Sequence, residues 1–87
     1  SDLSDAARAA TFGAIDTLLA DIDSMVPGFV DEETGAITLI QKDDARAYDI
    51  VDEIVGRAFG SGARVLGVRR QDIPGHRDLA AILRHPV

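Results

Sequence analysis

VDEIVGRAFGSGARVLGV, residues 51–68, decides the fold. Val51, Ile54, Val55, Ala58 and Phe59 recur at helical spacing, joined upstream by Tyr48, while Asp49, Asp52, Glu53 and Arg57 fall on the other side. Asp43 or Asp44 is expected to cap this helix. Gly60 and Gly62 stop it, because glycine readily takes the left-handed conformation that ends a helix. Val65, Leu66 and Val68 then read as a short, mostly apolar strand.

Working outward, Thr17 to Ile22 reads as an earlier strand, with Leu18, Leu19, Ala20 and Ile22 nearly all apolar. Apolar residues on both faces of a strand predict cover on both faces. A strand, a crossover helix and a strand in that order predict a right-handed parallel unit. Ser4 or Asp2 is placed to cap a first helix running to about Gly13, rich in helix-favouring alanine. After the Pro27-Gly28 break, GFVDEETGAITLI (28–40) reads as a hairpin turning at Thr34-Gly35. Arg69-Arg70 opens a loop that Pro74-Gly75 turns. Leu79, Ile82 and Leu83 then have the spacing of a last helix, with Arg84 and His85 near its negative end and Pro86 after it. The expected architecture is a small α/β/α sandwich with a mixed sheet, one domain over residues 1–87.

The chain has 87 residues, close to the size at which one core becomes self-sufficient. No apolar run approaches the roughly 20 residues needed to cross a bilayer, so no membrane contact is expected. The opening SDLSDAARAA carries no charged-then-apolar leader and reads as the start of a piece of a longer protein. There are no cysteines, which excludes disulfides and thiolate chemistry and fits a reducing, cytoplasmic setting. The net charge of −6 is divided unevenly. Residues 1–56 hold thirteen acids and three bases, whereas residues 57–87 hold six arginines and two acids. An acidic whole repels phosphate backbones and disfavours direct RNA contact, although a local arginine face can still meet an acidic partner.

Candidate chemistry is sparse. Gly60-Ser61-Gly62 lacks the Lys-Ser/Thr ending of a phosphate loop and follows a helix rather than a strand, so it reads as a helix stop. Asp21, Asp23, Asp31, Glu32 and Glu33 form an acidic corner whose spacing fits no established cation loop. His76 and His85, nine residues apart with no third ligand, make a poor metal pair. Arg64, Arg69, Arg70 and Arg77, with His76 beside them, cluster around the end of a strand. Ligands of open α/β sheets tend to sit there, which makes this the expected partner-binding face.

These blocks also resemble a known family. Gly13, Ala14, Ile15, Asp16, Thr17, Leu18 and Leu19, with Pro74-Gly75 and Ile82-Leu83-Arg84 near the end, are similar to the third domain of class-1 peptide chain release factors and their pelota-type relatives. PGFVDEETGAITLI (27–40), VDEIVGRAF (51–59) and ARVLGVRRQDIPG (63–75) resemble, as consecutive blocks, the bacterial archaeo-eukaryotic release factor family, notably subfamily eleven. His85 stands where an aromatic residue is usual. The resemblance implies the fold shared with kink-turn-binding ribosomal proteins and a partner such as a translational GTPase or the ribosome. It does not carry catalytic residues over, because no Gly-Gly-Gln occurs here. The expectation is therefore a non-catalytic interaction domain acting around translation termination or ribosome rescue, with no catalytic residue, cofactor or metal assigned. Two other readings are a small hydrolase using the acidic corner and His76, and an oligomerising module.

Overall fold

The computed structural model describes residues 3–40 and 47–85. Helix α1 (Leu3–Thr11) leads into β1 (Ile15–Asp21); β2 (Pro27–Val30), β3 (Ile37–Leu39) and the short β4 (Tyr48–Asp49) follow. Helix α2 (Ile50–Gly60), β5 (Arg64–Val68), two single 3₁₀ turns (Arg70–Asp72 and Pro74–His76) and β6 (Leu79–Leu83) complete the order. The strands form two small sheets, β5-β1-β6 and β3-β2-β4. In the first, β5 runs parallel to β1 and β6 antiparallel to it, so the sheet is mixed.

Both helices hand over to their strands by the same device. At the end of α1, Gly13 N–H donates to the Ala10 carbonyl and Ala14 N–H reaches back to Ala9. At the end of α2, Gly62 donates to Phe59 and Ala63 to Ala58. Gly13 (φ 67°) and Gly62 (φ 93°) take the left-handed turn that this pattern requires. The next residue is a buried alanine in both cases, and a parallel strand starts immediately after it. Two helix–glycine–alanine–strand units thus lie side by side. Ala6, Ala7, Ala9 and Ala10 are all buried, so α1 can approach α2 closely. Ile15, Leu18, Ile50, Ile54 and Leu79 fill the space beneath.

Three expectations are corrected here. Leu79–Leu83 is a strand, not a helix: LAAIL pairs with β1, and its Leu79, Ile82, Leu83 spacing coincides with helical periodicity only by chance. Arg84 accordingly binds no helix end; its guanidinium donates to the Ile15 carbonyl at 2.7 and 3.1 Å. The second correction concerns α2, which begins at Ile50 with Asp49 as its cap, the carboxylate accepting from Val51 N–H at 3.0 Å. Tyr48 belongs to β4, while Asp43 and Asp44 lie outside the described residues, as does Asp2. The third concerns layering. Helices α1 and α2 pack on each other and on the same sheet, α1 over β6 and β1, α2 over β1 and β5, so they share one side. Among the described residues no helix covers the other side, and the α/β part has two layers rather than three.

The hairpin turn falls where the sequence puts it. Asp31 Oδ1 accepts from the N–H groups of Glu33 and Thr34, both at 2.8 Å. These bonds favour the ionised carboxylate and lower its pKa below the ordinary 3.8. A carboxylate lowered on folding stabilises the native turn above its unfolded pKa, and that contribution disappears as pH falls through the folded value. Carboxyl-carbon NMR titration is therefore expected to show Asp31 protonating below 3.8; a midpoint at or above 3.8 contradicts the capping role.

Candidate functional surfaces

The carboxyl ends of β1 and β5 carry a closed polar clasp. Asp21, only 8% exposed, ends β1 and accepts from Asp23 N–H at 3.0 Å. Ser24 Oγ lies 2.6 Å from Asp78 Oδ1 and 3.1 Å from Asp21 Oδ2. Having one proton, the hydroxyl donates to the nearer carboxylate. Arg70 spans the group: its Nε is 3.5 Å from Asp21, its Nη2 pairs with Asp78 and meets Ser24 Oγ, and its Nη1 donates to the His76 carbonyl at 3.0 Å. One guanidinium thus bridges two carboxylates and pins the connection that crosses from β5 to β6. Ile73, in the same connection, is buried apart from the main core and anchors it further.

This arrangement divides the expected basic face. Arg70 and His76 converge, but Arg70, although half exposed, is paired with acids of its own chain, and His76 supplies a backbone carbonyl from a left-handed conformation (φ 52°). Arg77 folds near Gly75 and has its own contacts. Arg69 is exposed beside the clasp. Arg64 starts β5 whereas Arg69 follows its end, which separates them by about 16 Å of extended chain. The five residues therefore do not form one patch.

The acidic corner is dispersed as well. Asp21 sits in the clasp, Asp31 caps the hairpin turn, and Glu32 and Glu33 are exposed in that turn. Among the described residues no three His, Asp or Glu side chains gather as a metal site. A cleft of about 220 Å³ lies beside the carboxyl ends of β1 and β5, lined in part by Asp21, Ser24, Asp49 and Asp52. That is below the roughly 300 Å³ at which small-molecule pockets begin. The Asp49 carboxylate is moreover occupied by Val51 N–H and Val26 N–H.

The more conspicuous surface is apolar. Paired residues share a face of the sheet, so Leu18, Ala20, Val65, Leu79 and Ala81 point to the helices. Their alternates, Leu19, Leu66, Ala80 and Ile82, point to the open side. Leu66 is 42% exposed and Ile82 59% exposed. Arg64 and Thr17 lie on this face at one end and Asp21 on it at the other. The nearly all-apolar strands predict cover on both faces, whereas among the described residues helices cover one face only.

No helix among the described residues is long and apolar enough to cross a membrane. Compared with known protein families and with curated proteins, the chain matches none.

Proposed function

We propose that this chain is a non-catalytic interaction domain of a release-factor-like protein, docking a protein partner in translation termination or ribosome rescue. The observation that carries the docking reading is the open sheet face of Leu19, Leu66, Ala80 and Ile82, with Arg64 at its border. Covering such a face stabilises a complex by about 25 cal/mol per Å² of apolar surface removed from water. The order of the blocks at residues 13–19, 27–40, 51–59, 63–75 and 82–84 supports the release-factor setting. A protein partner is favoured over ribosomal RNA for two reasons. The chain is acidic, and Arg70 is already engaged by Asp21 and Asp78.

The test is binding of the purified chain to ribosomes and to translational GTPases over a salt series. Docking through the apolar face is expected to depend weakly on salt and to fall at least tenfold in Leu66→Lys and in Ile82→Lys, with circular dichroism unchanged. Binding that falls steeply with salt, is lost in Arg64→Ala plus Arg69→Ala and is indifferent to Leu66→Lys would instead assign a phosphate contact. No binding to either class of partner would remove the translational reading.

A further inference from the structure

We infer that the free edge of β5 is a strand-addition site, taking an extended segment of a partner protein whose residues run basic, apolar, apolar, acidic. Strand β5 is bonded only to β1, so its other side is an edge, and unpaired edge groups are a template for another chain. The parallel ladder determines which groups face outward. Ile22 N–H donates to the Val68 carbonyl, and the register sets Asp21 beside Val68 and Leu19 beside Leu66. Arg64, Leu66 and Val68 therefore turn their backbone groups toward β1, while Val65 and Gly67 turn theirs away. Among the described residues no backbone group bonds to those two. Val65 is half-buried and Gly67 exposed, and a glycine within a strand often marks the close approach of another backbone.

The side chains along this edge set the partner's chemistry. Helix α2 runs back along β5, so its first turn lies near Gly67 and its last turn near Arg64. The cleft of about 220 Å³ opens between them, with Val51, Val55, Val65 and Ile22 in its wall and Asp49 and Asp52 at its rim. Too small for a free ligand, it suits one side chain. Lysine and arginine lay an apolar stem on such a wall and keep their charge at the rim. Asp52 is exposed and has no ion-pair partner among the described residues. Arg69 lies past the end of β5 and is not part of the cleft. Val51, Val55 and Phe59 recur every fourth residue, so Phe59, 72% exposed, carries the apolar row on toward the start of β5.

An antiparallel strand added here puts one residue opposite Gly67 and another opposite Val65. Each exchanges two hydrogen bonds with β5 and points to the α2 side. The first reaches Asp52 and is basic; the second meets Val55 and Phe59 and is apolar. The residue between them lies beside Leu66 on the open face and is apolar, and the residue after them lies beside Arg64 and is acidic. Four backbone bonds and one filled cleft make a weak, reversible association. This edge is distinct from the open face, and the inference stands independently of the translational setting.

The experiment is an NMR titration of the 87-residue chain with the end-blocked peptide Thr-Lys-Val-Phe-Glu-Thr, from micromolar to millimolar concentration. Shifts are expected at the Val65 and Gly67 amides, with hydrogen exchange there slowing at least tenfold at saturation. Leu66 and Val68, bonded to β1, are protected in the free chain already. N-methylation of the peptide's lysine and phenylalanine, whose N–H groups face β5, is expected to abolish binding, whereas N-methylation of the valine between them is tolerated. Asp52→Lys is expected to weaken binding at least tenfold, and Ile82→Lys, on the far strand of the open face, to leave it intact. Absence of binding at millimolar peptide overturns the inference. So does binding that survives N-methylation of lysine and phenylalanine, is unchanged in folded Asp52→Lys, or is lost in Ile82→Lys. The peptide variants leave the protein untouched, so their result decides the matter even if Asp52→Lys fails to fold.

Discussion

Arg57→Ala is expected to destabilise the chain by about 3 kcal/mol, a large share of the ~5–15 kcal/mol that keeps a domain folded. The side chain is 16% exposed and unites three parts of the molecule. Its Nε donates to Glu53 Oε2 at 2.8 Å one turn back on α2. Its Nη1 donates to Thr11 Oγ1 on α1 and to the Asp31 carbonyl, both at 2.8 Å. Its Nη2 donates to the Val30 carbonyl at 3.0 Å. Hydrogen bonds to a charged group contribute about 1.5–3 kcal/mol each, less wherever water can replace the lost donor. The Asp31 carbonyl is exposed and can recover water, and the buried Val30 carbonyl keeps the Tyr48 hydroxyl at 3.4 Å, so the sum of four bonds overstates the loss. Urea unfolding measures the difference through the midpoint, with the slope unchanged if the native and unfolded states keep their exposed areas. Arg57→Lys is expected to fall between, because one ammonium cannot reproduce the planar fork that reaches helix and carbonyls together. A loss below about 1 kcal/mol in Arg57→Ala would show that the four bonds are replaced by solvent without cost.

Arg57 also shows what the sequence could and could not disclose. Its i,i+4 relation to Glu53 is legible at once and places it on the polar side of α2. Its reach to Thr11 and to the end of β2 depends on how α1 and the hairpin pack, which no local pattern encodes. LAAIL presents the opposite problem. A five-residue apolar run satisfies both helical and extended patterns, and only the vacant side of β1 makes it a strand. The arginine face suffered from a related loss of geometry. Arg64, Arg69 and Arg70 are near neighbours in the chain, yet β5 carries the first to the opposite end of the sheet from the other two. Where the determining interaction is local, as at Gly62 or at the Thr34-Gly35 turn, position and conformation were both readable.

Gly28→Ala and Gly56→Ala, the same chemical change at two sites, are expected to move stability in opposite directions. Gly28 lies in β2, between Leu39 of β3 and Tyr48 of β4. A methyl group there would stand 2.3 Å from the Thr38 carbonyl oxygen and 2.5 Å from Ile50 Cδ1. The first obstacle is backbone and the second is a fully buried side chain at the start of α2, so neither yields freely. Relieving the overlap requires β3 to shift or Ile50 to leave its seat, and overpacking of this kind costs about 1–3 kcal/mol. Gly56 sits on the exposed side of α2, where an added methyl meets nothing within 4 Å. Replacing glycine by alanine inside a helix there removes backbone freedom from the unfolded chain and stabilises by roughly 0.5–1 kcal/mol. Paired urea titrations should therefore place the midpoint of Gly28→Ala below, and that of Gly56→Ala above, the parent chain. In Gly28→Ala the loss should be accompanied by faster exchange of the amides between β2 and β3, because the clash falls on that ladder. A Gly28→Ala chain as stable as its parent would mean that β2 does not pack against Thr38 and Ile50 as described, and the hairpin would have to sit elsewhere on α2.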